Sequence, residues 1–128
     1  MNVQNLLAQS LRAGEWDAAL SGLYALDGSE ESLSQARERA ANLAERFAAV
    51  FPGEAAPSLF SGPGRTEIGG NHPDHQHGRV LCGSVDLDML ACAAPNGKNA
   101  ARIQSEGYPP LEISLEDLSP RAEERNSS

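Results

Sequence analysis

The chain has 128 residues, which is enough for one domain with a modest core and too few for two well-buried ones. Ten Lys and Arg against eighteen Asp and Glu give a formal net charge of -8, which argues against a nucleic-acid partner because a phosphate backbone repels a net anion. Hydrophobic residues make up 40%, close to ordinary globular usage, and no apolar run is long enough for a membrane span or a secretory signal, so we expect a cytoplasmic protein with no membrane partner.

Two short helices are predicted at the start of the chain. The first ends at Gly14, and its apolar positions at helical spacing are Val3, Leu6, Leu7 and Leu11. The second ends at Asp27-Gly28, and its apolar positions are Trp16, Ala19, Leu20, Leu23 and Leu26.

A longer third helix is predicted to follow. Ser32 and Gln35 have the spacing of a capping box, in which each side chain satisfies the other residue's free amide. Pro52-Gly53 ends the helix, and its apolar positions are Leu33, Ala36, Ala40, Leu43, Ala44, Phe47 and Phe51.

Strand patterns replace helical ones in the second half of the chain. Residues 84–94 alternate, with Asp86 and Asp88 on the solvated face. The other face of this strand carries Val85, Leu87, Met89, Ala91 and Ala93. The turn residues 95–98 predict a hairpin to a second strand around 101–105, and residues 111–115 could form one more.

These elements predict an α+β fold: N-terminal helices followed by an incomplete antiparallel or mixed sheet. We expect two regions, a helical one at residues 1–56 and a second at 57–128. Cys82 and Cys92 are interpreted as reduced, apolar strand residues, because two cysteines ten residues apart make neither a disulfide framework nor a metal site.

Residues 61–81 carry the polar side chains and glycines that suit a binding site. Glycine-rich turns flank Arg65, and Asn, His and Asp residues follow within ten positions. A polar loop that caps its own turns and a site for a hydroxyl-rich molecule both fit these residues. A metal site is a third hypothesis, although its candidate ligands match no established zinc spacing; they are His72, Asp74, His75 and His77. A phosphate loop is excluded because Gly64 is not followed by Gly-Lys-Ser/Thr.

The same segment resembles the N-terminal signature of galactokinases, which reads Pro-Gly-Arg-Val-Asn-Leu-Ile-Gly-Glu-His-Thr-Asp-Tyr-Asn-Gly-Gly. The positions in register with it, without a gap, are Pro63-Gly64-Arg65, Gly70, His72, Asp74 and Gly78. In the family, a helix and a short linker precede this motif and a long strand follows it. The residues that resemble these elements here are 43–51, 52–54 and 84–88, respectively. The resemblance covers roughly residues 40–120 and implies the first part of a galactokinase N-terminal domain.

The resemblance implies a role for four residues. Arg65 matches the arginine at the reacting end of the sugar, where a guanidinium stabilises charge that develops during phosphate transfer. His72 and Asp74 match residues that hydrogen-bond the ring hydroxyls of galactose. Asn71 stands where the common signature has glutamate, and an amide at this position keeps the hydrogen bond while it removes the negative charge.

The family's serine-rich phosphate loop, its third signature and its catalytic aspartate have no counterpart in this sequence. We therefore expect a truncated, inactive N-terminal piece, without cofactor-binding or metal residues of its own. ATP and Mg²⁺ are implied only for the full-length enzyme, and the expected partners are galactose or a related sugar and the missing C-terminal portion of the kinase. The alternative is a non-catalytic sugar-binding or protein-interaction module derived from such a kinase.

Overall fold

The computed structural model of the protein describes residues 3–24, 27–53, 55–70 and 79–119. Within these ranges, three helices precede four strands and confirm the predicted α+β class; the elements are α1 (Val3–Arg12), α2 (Asp17–Tyr24), α3 (Glu30–Val50), β1 (Ser58–Gly69), β2 (Leu81–Ala93), β3 (Ala100–Ile103) and β4 (Leu111–Ser114). The chain divides into two compact units, residues 1–95 and 96–128. The functional boundary at residue 56 stays a prediction.

The core of the first unit forms around α3. Its buried face is a row of alanines four residues apart, at positions 36, 40, 44 and 48, with Ala41 beside them. Small side chains let α1 and α2 approach this helix closely, and Ala8, Leu11 and Leu20 fill the space between them. The predicted helices are therefore confirmed, and α1 ends before Gly14, whose φ of 82° favours glycine.

Helix α3 begins three residues earlier than the sequence predicted. Its N-cap is Ser29, whose hydroxyl accepts a hydrogen bond from the Ser32 amide at 3.1 Å. The predicted capping box at Ser32 and Gln35 is therefore wrong, since both residues lie inside the helix. Asp27 accounts for the earlier start of the helix. Its carboxylate accepts hydrogen bonds from the amide and hydroxyl of Ser29 and so fixes the chain directly before the N-cap.

Two arginines join the helices on their polar sides. Arg37 of α3 donates two hydrogen bonds of 2.6 Å to Asp17 at the start of α2. Arg12 at the end of α1 makes ion pairs with Glu38 and Glu45 of α3. Bidentate arginine–carboxylate geometry fixes orientation as well as distance, so these pairs set the position of both short helices along α3.

Strands β1 and β2 form an antiparallel ribbon in which Ser58 lies opposite Ala93 and Gly69 lies opposite Leu81. The predicted hairpin across residues 95–98 is wrong, because β2 pairs with the strand that precedes it. Strand β1 was not predicted from the sequence, because its glycines and Pro63 are residue types that disfavour strands. Pro63 is tolerated because β2 is the only partner of β1 among the described residues, so the second edge of β1 needs no amide there.

The register of the ribbon decides which side of β2 meets the helices. Leu59 lies opposite Cys92 and Ser61 lies opposite Leu90, and Leu59 and Leu90 pack on the core. Asp88 lies on this side as well, so its predicted place on the solvated face is wrong, whereas Asp86 is exposed as predicted. The apolar alternation of β2 instead leaves Leu87 and Met89 exposed, at 76% and 78%.

The second unit contains an antiparallel hairpin, in which Ala100 of β3 pairs with Ser114 of β4. Asn96 forms the turn before it, accepting a hydrogen bond from the Lys98 amide and donating one to the Ala100 carbonyl. The predicted strand at 111–115 is confirmed as β4, and the predicted strand around 101–105 is confirmed as β3. Strand β3 pairs with β4 and not, as predicted, with β2.

Both cysteines are free and lie in β2, as predicted. Cys82 is exposed, and partial burial raises the pKa of the Cys92 thiol to about 11. None of the described helices combines the length and apolar character that a bilayer crossing requires.

Candidate functional site

Arg65 is the one predicted site residue that the structure describes. It lies in β1 opposite Ser84, and its side chain is exposed. The predicted sugar ligands Asn71, His72 and Asp74 lie outside the described residues, as do the other candidate metal ligands, His75 and His77. The described part of the candidate site is therefore the ribbon that carries Arg65, and the segment with the other three residues connects its two strands in the sequence.

The ribbon is tightly closed at the end where that segment begins. Gly69 pairs with Leu81, and the next residue, Gly70, has a φ of 115°. A side-chain carbon on Gly70 would lie 2.7 Å from the Arg79 carbonyl oxygen and 2.8 Å from the Val80 Cα. Gly70, directly after β1, is therefore packed against the residues that directly precede β2, and only glycine fits there.

A register shift lies next to Arg65. Pro63 pairs with Asp88 and Arg65 pairs with Ser84, so β1 advances two residues while β2 advances four. The additional residues of β2 press against Gly64, where a side-chain carbon would lie 2.9 Å from the Leu87 carbonyl oxygen and 2.9 Å from the Val85 Cγ2. The predicted glycine-rich turn at 62–64 is therefore wrong: these residues form a strand, and Gly64 accommodates an irregularity that redirects it.

Asp88 lies next to this shift, on the face of the ribbon that meets the helices. Its carboxylate accepts hydrogen bonds from residues of three elements. Tyr24 of α2 and Ser61 of β1 each donate a hydrogen bond of 2.6 Å to its Oδ2. Arg39 of α3 makes an ion pair of 2.6 Å with Oδ1, and its guanidinium carbon lies 5.8 Å from the centre of the Tyr24 ring. We call Asp88, Tyr24, Ser61 and Arg39 the Asp88 cluster.

The Asp88 side chain is only 12% exposed. Burial by itself raises the pKa of a carboxyl, but the hydrogen bonds from Ser61, Tyr24 and Arg39 outweigh it and lower the pKa of Asp88 to about 2. Burial and the bond to Asp88 raise the pKa of the Tyr24 hydroxyl. Asp88 is therefore a carboxylate and Tyr24 a neutral donor at neutral pH.

Sequence reasoning missed this cluster, because Tyr24 and Arg39 lie far from Asp88 along the chain. The one signal in the sequence was Asp88 itself, a second carboxylate in the alternating strand, two residues after Asp86. An open cleft of about 360 Å³ lies beside the cluster, lined among others by Leu23, Pro63 and Val85. Arg65 does not line it, and the cluster's own polar atoms already bond one another.

Two kinds of ligand site were sought among the described residues, a phosphate loop and a group of metal ligands. Gly62 and Gly64 lie within a paired strand, whereas a phosphate loop wraps its free amides around the anion. Across the described ranges, no group of three His, Cys, Asp or Glu side chains is placed to hold a cation. The chemistry that this ribbon can supply is hydrogen bonding and positive charge from Arg65.

Comparison with known proteins agrees with the resemblance seen in the sequence. Residues 45–95 match a family model described as the galactokinase galactose-binding signature. The chain is 32% identical over 79 residues to the galactokinase of Lactococcus lactis subsp. cremoris (strain MG1363), which is 59% of this chain and 20% of that protein. It is 32% identical over 77 residues to the galactokinase of Ligilactobacillus salivarius (strain UCC118), 58% of this chain and 20% of that protein.

These matches confirm the resemblance to the N-terminal part of galactokinases. The chain spans about a fifth of the length of the relatives. No solved structure matches it significantly. The matched segment ends at Pro95, where the first compact unit also ends, and it contains the whole β1–β2 ribbon.

Proposed function

Residues 45–95 carry the galactose-binding signature of galactokinases, and from this we propose that the chain is the sugar-binding part of such a kinase and binds galactose or a related sugar. The match to the signature carries the proposal, because it covers Arg65 and the three other candidate sugar ligands within one ribbon and its connection.

The residue types suit a polyol. Each sugar hydroxyl both donates and accepts a hydrogen bond, so it needs acceptors and donors side by side. Asp74 would accept strong, charge-assisted bonds from neighbouring hydroxyls, and His72 and Asn71 can each donate or accept. Arg65 has an exposed guanidinium without a hydrogen bond or ion pair to any described residue, so its donors are available for a ligand.

In a complete kinase, we propose that this part presents the anomeric hydroxyl of galactose for transfer of the terminal phosphate of ATP, a step in galactose metabolism. Arg65 would hold the reacting end of the sugar and stabilise the charge that develops there. ATP, Mg²⁺ and the base that removes the hydroxyl proton are assigned to the portion outside the match. The chain by itself is proposed to be inactive, and its proposed location is the cytoplasm.

A non-catalytic sugar-binding or interaction module is the second candidate. It rests on one observation: the outward face of the ribbon exposes Phe60 at 57%, together with Leu87 and Met89. Adjacent exposed apolar side chains of this size are typical of a surface that another polypeptide covers. The same surface is equally suited to the remaining portion of a kinase, so catalytic complementation separates the two candidates.

Galactose binding to the purified chain tests the proposal. We expect titration with galactose, followed by calorimetry and by ¹H–¹⁵N spectra, to give saturable binding that glucose does not reproduce. Asp74→Asn should weaken binding by about tenfold or more, because it removes a charged acceptor.

Two matched variants serve as controls. Asp86→Asn removes an exposed carboxylate from β2, and Lys98→Ala removes an exposed cation outside the matched segment; both should bind galactose as the unchanged chain does. Arg65→Ala should weaken binding, and Lys98→Ala separates this loss from a general charge effect. A folded chain that shows no saturable response to galactose would contradict the proposed function.

A further inference from the structure

We propose that Asp88 is a positioning residue for the sugar site: by tying β1 to α2 and α3 at the register shift, it sets the direction in which β1 presents Arg65. This inference rests on the proposed function, because Arg65 is the sugar-site residue that it concerns. Asp88 itself would touch no sugar, and its effect would act through the strand.

The first argument is where the Asp88 cluster holds the ribbon. Asp88 pairs with Pro63 across the two strands, and Pro63 is the last paired residue of β1 before the shift. Ser61, on the same face of β1, donates directly to the Asp88 carboxylate at 2.6 Å. The cluster thus fixes both strands at the last regular pairs on one side of Gly64, and Arg65 is the first paired residue on the other side.

The second argument is that the ribbon needs an anchor at this point. Two strands alone are marginally stable in water and twist readily, and a register shift increases the twist. Gly64 lies between the paired residues Pro63 and Arg65 and has no pairing partner of its own in β2, so backbone pairing alone does not define the angle between the two parts of the ribbon. An external attachment beside the shift removes that freedom.

The third argument is that the attachment is rigid. Tyr24 comes from α2 and Arg39 from α3, so the carboxylate is tied to two helices that Arg37 and Asp17 already lock together. Arg39 also donates to the Asp88 backbone carbonyl at 3.3 Å. A carboxylate with three side-chain donors is held in one orientation, unlike a single exposed ion pair.

The chain offers a matched control for this residue. Asp86 lies two positions away, within the additional residues of β2, and it is exposed. It has no hydrogen bond or ion pair with a described residue. Asp86→Asn therefore removes the same charge from the same strand and leaves the attachment intact.

The test compares Asp88→Asn and Asp86→Asn in the full 128-residue chain. We measure the ¹H–¹⁵N shifts and hydrogen exchange of Arg65 and Thr66, the Arg65 Nε–Hε signal, and the galactose dissociation constant. Asp88→Asn should move the Arg65 signals, speed exchange at Arg65 and weaken galactose binding about 5- to 20-fold, while signals of residues 40–44 in α3 stay in place. Asp86→Asn should change none of these.

A purely structural role would give a different result. If Asp88→Asn lowers the melting temperature but leaves the Arg65 signals and galactose affinity unchanged, the positioning role is refuted, and it is equally refuted if Asp86→Asn has the same effects. Should the unchanged chain not bind galactose, the proposed function fails, and the Arg65 signals alone decide whether Asp88 positions the strand.

Milder variants cover the case in which Asp88→Asn does not fold. Ser61→Ala and Tyr24→Phe each remove one donor and keep the ion pair between Arg39 and Asp88. Each should move the Arg65 signals in the same direction as the larger change, by a smaller amount. Unchanged Arg65 signals in both variants would refute the proposal.

Discussion

Gly64 shows how a single residue controls the geometry next to the candidate sugar site. It lies in a strand, where glycine usually weakens pairing, yet the additional residues of β2 leave no room for a side chain there. Gly62, two positions earlier in the same strand, faces no such contact, since an added carbon would lie 3.9 Å from the Met89 carbonyl oxygen. The glycine in the motif Pro63-Gly64-Arg65 is thus explained by the close approach of the β2 backbone, which leaves no space for a side chain.

Replacement by alanine should therefore affect stability differently at these two glycines. Gly64→Ala should lower the free energy of unfolding by about 1–3 kcal/mol, because the new carbon would lie 2.9 Å from a backbone oxygen that cannot rotate away. Gly62→Ala should leave it unchanged or raise it by about 0.5 kcal/mol, since alanine loses less backbone entropy on folding. Urea unfolding of both variants measures this, and an equal loss in both would show that the register shift is not as described.

At the same scale, the motif identified Arg65 as a candidate site residue but gave no indication of the Asp88 cluster. A motif names residues that are close along the chain, and Arg65 could be recognised from its neighbours alone. Asp88, in contrast, owes its low pKa to hydrogen bonds from Ser61, Tyr24 and Arg39, and the last two residues lie 64 and 49 residues away along the chain. Such a pairing depends on which face of β2 meets the helices, and alternation in the sequence indicated the other face.

Helix α3 is the element on which the first unit is built. Its row of alanines gives α1 a close approach, and Ala44 in that row is fully buried. Close packing of this kind leaves no space for a larger side chain, because protein interiors are as dense as organic crystals. Ala49 lies further along the same helix, next to Ala48 and off the row of alanines, and it is exposed.

Enlarging these two alanines tests that packing. Ala44→Leu should lower the free energy of unfolding by about 1–3 kcal/mol, because α1 must move away to admit three more carbon atoms. Ala49→Leu should change it by less than about 0.5 kcal/mol, as is usual for exposed positions. Thermal unfolding followed by circular dichroism distinguishes them; if Ala44→Leu is as stable as Ala49→Leu, α1 does not pack on this face.

At the scale of the whole molecule, the matched segment, the compact first unit and the exposed ribbon face belong together. The chain spans about a fifth of its relatives, and the outward face of its ribbon carries Phe60, Leu87 and Met89. Covering these side chains would remove a large apolar area from water, which favours association with a polypeptide of complementary shape. The remaining portion of a kinase, the partner that we propose, would be such a polypeptide.

Complementation tests the proposal at this scale. We expect the purified chain to turn over no ATP alone, and to restore galactose phosphorylation when it is mixed with the Lactococcus lactis galactokinase from which the matching segment has been removed. Leu87→Glu, at an exposed position, should abolish restoration without unfolding the chain, whereas Asp86→Asn should not affect it. Galactose binding without restoration would favour the non-catalytic module, and ATP turnover by the chain alone would contradict both.

The sequence by itself determined the helices, the class of the fold and the resemblance to galactokinases, because these depend on spacing and motifs among residues that are close along the chain. Only the tertiary structure decided that β2 pairs with β1, since the turn residues 95–98 favour a different hairpin locally and the observed pairing comes from ten paired positions along the ribbon. It also decided the place of Asp88: a carboxylate is solvated unless donors replace water, and those donors come from helices that reach it only after the chain has folded.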